Sequence, residues 1–214
     1  MSTFAMSTVD TPSSSGFAER AQEPYASIPT DPDAFLRWAS TRPREEGKYE
    51  LSKGRVQHTM INVNRRHALI VTNITYEILR QIDRDRFFLA ATDFAVRTSA
   101  GIRGPDIVVD DAKQDGSALS TDRPIFIAEV LSPSSIGRDF TEKLEEYTTI
   151  ASLQTYLICS QDQPRLWQWQ RQADGTWPKF PLELSGRDGA IQLEALGVEL
   201  ALEAIFRGIP DGAG

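Results

Sequence analysis

Residues 104–110, Gly104-Pro105-Asp106-Ile107-Val108-Val109-Asp110, and residues 125–131, Ile125-Phe126-Ile127-Ala128-Glu129-Val130-Leu131, decide how this chain folds. Both are β-branched or aromatic runs bounded by Gly, Pro or polar residues, the composition of strands. The polar connection between them, residues 111–123, is long enough only for a local return, so the two strands read as antiparallel neighbours. In that pairing Asp106 and Glu129 reach the same end of the sheet. A glutamate set among Ile, Phe, Ile and Val is costly to bury unless it is paired or metal-bound. Two carboxylates held together call for a cation, and two hard oxygen ligands plus waters suit Mg²⁺ or Mn²⁺. Spacing alone equally allows Asp106 to cap a turn and Glu129 to meet an arginine such as Arg97 or Arg103.

Upstream, Asp31-Pro32 opens a short helix carrying Phe35, Leu36 and Trp38, with Asp31 as N-cap and proline at the first helical position. Residues 48–51 and 55–60 flank Ser52-Lys53-Gly54 and form a hairpin. Ala68, Val71, Ile74, Ile78 and Ile82 recur at helical spacing, which predicts an amphipathic helix over residues 64–83. Residues 87–97 form one apolar run and are expected to be a single strand. Downstream, a helix is predicted over residues 139–150, with Asp139 and Glu142 in capping-box spacing. Strands follow over residues 155–160 and 165–171, then a turn at Asp174-Gly175, a strand near residues 191–193 and a short helix around residues 202–206. Together these make an α/β arrangement, a mixed sheet with a helix before and after its central strands.

The helix over residues 139–150 has an apolar face of Phe140, Leu144, Tyr147 and Ala151, whereas Glu142, Glu145 and Glu146 fall opposite and are expected to be solvated. Lys143 borders the apolar face, so its ammonium can turn towards Glu129 and Asp106 or snorkel into water.

The chain has 214 residues with a net charge of −7, 40% hydrophobic and 25% charged residues. That is ordinary globular composition with core enough for one domain. A single cysteine, Cys159, excludes an internal disulfide and a multi-cysteine zinc site, and points to a reduced, cytoplasmic setting. No apolar run has the length of a membrane span. The acidic balance argues against non-specific coating of nucleic acid, though not against a nucleic-acid enzyme whose site charge comes from a metal. Residues 1–30, rich in Ser, Thr and Pro around Ser13-Ser14-Ser15, are expected to be a disordered tail, residues 31–209 one domain, and residues 210–214 a frayed end. No glycine-rich phosphate loop or dinucleotide fingerprint is present. Trp167 and Trp169 share a strand face and read as core or interface rather than base-stacking residues, and Cys159 reads as a buried, inert thiol. Lys53, Arg55, Arg65 and Arg66 form the only basic cluster expected near the carboxylates.

Several of these runs resemble one family. Pro105-Asp106-Ile107-Val108-Val109, then Ala128-Glu129-Val130-Leu131-Ser132-Pro133-Ser134-Ser135, then Asp139, Lys143 and Tyr147, then Leu153-Gln154-Thr155-Tyr156-Leu157-Ile158 are similar to the Uma-two family of restriction-endonuclease-like proteins, within the PD-(D/E)XK nuclease superfamily. The resemblance extends to Tyr49-Glu50-Leu51, Gly54-Arg55-Val56 and His67, and covers about residues 30–207. It implies a restriction-endonuclease-like core, a mixed central sheet of four or five strands with helices on both faces. It implies Asp106 and Glu129 as metal ligands with the Val130 carbonyl as a third, and Mg²⁺ or Mn²⁺ as cofactor. The superfamily's usual lysine stands two residues after the acid, where this chain has Leu131, and Lys143 is the natural substitute. Glu50 and His67 join the set by the same resemblance, Glu50 through a bridging water or by ordering Lys143. Ser132 is expected to orient Glu129 or cap its loop, and Pro133 to stop the strand.

The resulting expectation is an Mg²⁺-dependent endonuclease hydrolysing phosphodiester bonds in DNA, acting as a homodimer, with no membrane partner. The rival is a catalytically inactive nuclease-fold module that binds a protein or nucleic acid, favoured by Leu131 and by the lack of an extended basic stripe.

Overall fold

The computed structural model describes residues 28–59, 63–91, 94–113, 115–131, 137 and 139–210. The expected tail through residue 27, the last four residues, and Ser132 with Pro133 lie outside them. Helix α1 (Pro32–Ala39) starts as its sequence dictates, with the Asp31 side chain accepting the Ala34 N–H at 2.9 Å. Strands β1 (Lys48–Ser52) and β2 (Arg55–Thr59) form the expected hairpin. Both turn residues, Lys53 and Gly54, have positive φ (50° and 72°), the geometry whose twist matches a two-residue hairpin. Helix α2 (Arg65–Leu79) is capped by Asn64, which accepts the His67 N–H at 2.9 Å.

The single strand expected over residues 87–97 is instead two, β3 (Phe87–Ala90) and β4 (Ala95–Thr98), in different sheets. An apolar run shows that residues are buried but not where the chain changes strand partner. Strands β5 (Gly101–Arg103), β6 (Ile107–Asp111), β7 (Ser120–Thr121) and β8 (Phe126–Val130) follow. The helix expected over residues 139–150 is a π-helical turn (Asp139–Lys143) running into a short helix α3 (Leu144–Thr148). Asp139 is the first residue of that turn, not the capping residue before it. Strands β9 (Thr155–Cys159), β10 (Arg165–Gln170), β11 (Leu182–Ser185), β12 (Ala190–Leu193) and β13 (Val198–Ala201) and helix α4 (Leu202–Ile205) complete the chain. Short β5, β7, β11 and β13 are absent from the sequence-based reading.

Two larger sheets result. One has five strands in the order β2-β1-β5-β4-β7, the other six in the order β11-β10-β9-β8-β6-β3. The six-stranded sheet is mixed: β6 and β8 are antiparallel, as read from the sequence, and β8 and β9 are parallel. Ile70, Ile74 and Ile78 of α2 pack on one face, with Ile107, Val109, Ala128 and Val130 and the β12–β13 hairpin. Tyr147 of α3 packs on the other, with Val108, Ile127, Tyr156 and Ile158. This mixed sheet with a helix on each face is the expected α/β class. Among the described residues no helix is long and apolar enough to cross a membrane.

Glu146 corrects the expected solvated face of α3. It is buried, and Arg103 of β5 bonds both its oxygens, at 2.8 and 2.7 Å. Ser52 of β1 and Thr98 of β4 also donate to it, at 2.6 and 3.2 Å. The five-stranded sheet covers the side of α3 that a lone amphipathic helix would offer to water. Ala151, assigned to the apolar face, is exposed just beyond the helix end.

Candidate active site

The chain crosses from the five-stranded sheet to the six-stranded one through Gly104-Pro105-Asp106, between β5 and β6. The register Ile107↔Ala128, carried one residue outward, sets Asp106 opposite Glu129. Asp106 lies just before the strand rather than opening it. Its Oδ2 accepts the Val130 N–H at 2.7 Å, and its Oδ1 is 3.4 Å from Nε2 of His67. Burial alone would raise the Asp106 carboxyl, but the His67 hydrogen bond, the Lys48 charge and the Val130 N–H hold it below its usual value.

Glu129 is 3% exposed. Its Oε1 accepts from Lys143 Nζ at 2.7 Å and from the Tyr147 hydroxyl at 3.2 Å. Its cation is thus Lys143, not Arg97 or Arg103. Arg97 pairs with Asp33 instead. Lys143 is buried and does not snorkel. Burial, then the charges of Glu129 and Glu50, raises the Tyr147 phenol well above its ordinary value, so it stays a donor.

Glu50 is not a surface acid of the hairpin: it is buried beside these groups. Oε1 accepts the Gly104 N–H at 3.0 Å and Oε2 accepts from Arg103 at 3.1 Å. Burial pushes its carboxyl up, yet the charges of Lys143, Lys48 and Arg103 and the Gly104 N–H outweigh that and bring it down to about 2. Arg103, fully buried, also donates to Gln57 at 3.0 Å, and its guanidinium is driven further from neutrality, burial being overcome by Glu146 and Glu50.

Sequence reasoning missed Lys48 and the Arg103–Glu146 pair. Lys48 Nζ donates to the Gly104 carbonyl and lies 3.8 Å from Glu50 Oε1. Burial would lower its pKa, but Glu50, helped by Glu129 and Asp106 against Lys143, raises it. A signal was present, since Lys48 and Glu50 alternate onto one face of the same strand. For Arg103 and Glu146 no local pattern announces the pairing, because the partners are 43 residues apart and meet only when the second sheet closes over α3.

The basic cluster expected near the carboxylates divides. The Lys53 N–H bonds the Ala100 carbonyl at the hairpin turn, the end of β1 remote from Lys48. Arg65 and Arg66 open α2 just before His67, and Arg66 pairs with Asp162. Trp169 is buried, and Trp167 packs edge-on against Phe140 with its N–H on Glu183 at 3.1 Å. Cys159 is fully buried, which raises its thiol pKa.

The oxygens of Asp106 and Glu129 suit a hard divalent cation. Among the described residues, however, no three His, Cys, Asp or Glu side chains converge as a ligand set. An ion there would draw on these two carboxylates, with waters completing its shell.

The family model described as "Uma2: Putative restriction endonuclease" matches residues 32–203. The uncharacterized protein slr1290 of Synechocystis sp. is 24% identical over 193 residues, 88% of this chain and 98% of that protein. The uncharacterized protein sll1609 of the same organism is 34% identical over 97 residues, 44% of this chain and 54% of its own length. The crystal structure of a "putative nuclease belonging to DUF820" from Anabaena variabilis ATCC 29413 superposes with a TM-score of 0.62 at 14% identity, covering 81% of this chain and 96% of that one.

Proposed function

This chain belongs to the Uma2 family, whose model carries the description "Putative restriction endonuclease", and from that premise we propose that it is a metal-dependent DNA endonuclease whose site is Asp106, Glu129, Lys143, Glu50 and His67. One observation carries the reading. Asp106 and Glu129 stand opposite each other at the end of paired strands, and the buried ammonium of Lys143 lies 2.7 Å from Glu129. A lysine drawn from the helix therefore stands beside the acid that Leu131 leaves without its usual neighbour.

Asp106, Glu129 and the Val130 carbonyl would hold Mg²⁺ or Mn²⁺, which supplies a water of lowered pKa and a polarised phosphate oxygen. Hydrolysis forms one bond from water oxygen to phosphorus and breaks one from phosphorus to the leaving oxygen. Lys143 offers positive charge to the charge growing on the phosphate. Glu50, held ionised, pairs with Arg103 and sets its negative charge beside Lys48 and Lys143. His67 supports Asp106 from the first turn of α2. A double-strand cut by this single site calls for a second copy, so a homodimer belongs to the proposal.

Plasmid and single-stranded DNA incubated with Mg²⁺ or Mn²⁺ test it. Cleavage is expected with wild type and lost with Glu129→Gln, and Lys143→Met should slow it by roughly 10²–10³-fold. A folded wild type that cuts neither form with either metal leaves the partner-binding module as the reading.

A further inference from the structure

We propose that Lys48 is a second substrate-facing cation of this site, seated in a notch that glycine at position 104 leaves open, and that its ammonium contacts a non-bridging oxygen of the phosphodiester. The inference rests on the nuclease reading and adds a residue that sequence and family comparison do not assign.

Three observations meet at Lys48. First, the end of the Lys48 side chain lies against Gly104. A Cβ on Gly104 would stand 2.6 Å from Lys48 Cε and 3.3 Å from its Nζ. Gly104 is not among the glycines with positive φ, so its backbone does not demand glycine. What the missing side chain provides is room for the lysine stem, whose ammonium then donates to the Gly104 carbonyl.

Second, the two lysines differ in access. The Lys143 side chain is 6% exposed and committed to Glu129, whereas that of Lys48 is 20% exposed. Lys143 enters from the helical segment beneath the site, and Lys48 from the first strand of the other sheet. Of the two, Lys48 is the more exposed side chain.

Third, the charges favour it. Glu50, Asp106 and Glu129 together repel a phosphodiester. Arg103 is fully buried and already paired with Glu50 and Glu146. A cation beside Glu50 and the Gly104 carbonyl, two residues before Asp106, offsets that repulsion. Ammonium groups bind phosphate oxygens as compact point charges that leave the carboxylates to the metal.

The test uses the full chain and four variants: Lys48→Met, Lys48→Ala, Gly104→Ala, and Lys48→Ala combined with Gly104→Ala. Cleavage is read with Mg²⁺, affinity for a short DNA duplex with Ca²⁺ in its place, Mn²⁺ affinity by calorimetry, and folding by denaturant titration. Lys48→Met is expected to slow cleavage about a hundredfold and weaken duplex binding about tenfold. Mn²⁺ should bind as well as before or several-fold tighter, because a neighbouring positive charge is gone. A lysine that merely props the site would lower metal affinity along with activity. Gly104→Ala should reduce cleavage while Lys48 is present and change nothing further in the Lys48→Ala background, where the notch is empty. The cycle keeps the question answerable if Lys48→Met folds poorly. Wild-type cleavage by folded Lys48→Met, or additive losses in the cycle, overturns the role of Lys48 while leaving the nuclease standing. A wild type that cuts nothing removes the nuclease reading and this proposal with it.

Discussion

The two faces of the six-stranded sheet are built from alternate residues of the same strands and solve opposite problems. Ala128 and Val130 point to α2, where Ile70, Ile74 and Ile78 complete an apolar layer. Ile127 and Glu129 point to α3, where Val108, Tyr156 and Ile158 give way at the strand end to Lys143, Glu146, Arg103 and Glu50, all buried. The first face gains free energy from every residue removed from water. The second spends desolvation energy on each ion and is tolerable only because every one is paired. Replacing such a network by apolar side chains is often neutral or stabilising, so fold stability alone does not account for it. The difference teaches where to look for chemistry: the face whose charges the fold does not need.

Removing one member from each face gives the sharpest break. Arg103→Met strands Glu50 and Glu146 without their guanidinium and should cost about 3–5 kcal/mol. Ile74→Ala leaves a cavity and should cost about 2–5 kcal/mol. The two are told apart by pH in denaturant titrations. The Arg103→Met loss should shrink in acid, since both stranded carboxyls then protonate, whereas the Ile74→Ala loss should stay level. An Arg103→Met cost under about 1 kcal/mol would mean that the network is not closed to water.

The same contrast governs what was legible in the amino-acid sequence. The α2 face was readable because burial leaves a period: Ile74 and Ile78 announce their helix, and Asn64 its start. The β6–β8 pair was readable because two apolar runs flank a short polar connection, and it carried Asp106 and Glu129 to one end of the sheet. The α3 face was read only in part. Lys143 was legible as a cation able to turn towards Glu129 or to snorkel, but Glu146 has the same helical phase as a solvated residue. Its burial depends on a sheet that β5 completes, and β5 is only Gly101, Ile102 and Arg103. Periodicity records which side of an element is apolar. It does not record a second layer that buries the polar side.

Acid unfolding sharpens the comparison with a somewhat smaller effect. The Glu50 carboxyl is lowered from 4.5 to about 2 in the folded chain. A lowered pKa stabilises above the unfolded value, so this contribution is complete above pH 4.5 and is lost as the pH falls through about 2. It amounts to about 3 kcal/mol. Stability of Glu50→Gln should therefore start lower at neutral pH and fall less steeply between those limits. Asp106 and Glu146, also lowered, keep some slope of the same sign in the variant. The Ile74→Ala curve should run parallel to wild type throughout. An acid limb unchanged by Glu50→Gln would show that Glu50 titrates in the folded chain as it does in the unfolded one.

The smallest expected effect isolates a single hydrogen bond of the charged face. Tyr147 sits in the apolar layer with Tyr156, their rings 5.2 Å apart and tilted 66°, while its hydroxyl donates to Glu129 at 3.2 Å. Tyr147→Phe keeps the ring and its packing and removes only the donor. Glu129 retains Lys143 at 2.7 Å, so the carboxylate is not orphaned and the cost should be about 1 kcal/mol. Because the phenol is held protonated well above its ordinary pKa, wild type and variant should differ by a constant amount from neutral to mildly alkaline pH. The variant should also free one acceptor site on Glu129, so Mn²⁺ affinity measured by calorimetry should hold or rise while stability falls slightly. Equal stability in Tyr147→Phe and wild type would mean that the hydroxyl adds nothing to Glu129 beyond what Lys143 supplies. A loss above about 3 kcal/mol would place the residue's main contribution in the way α3 packs between the sheets, and the boundary between the apolar and charged regions would then lie beyond Tyr147.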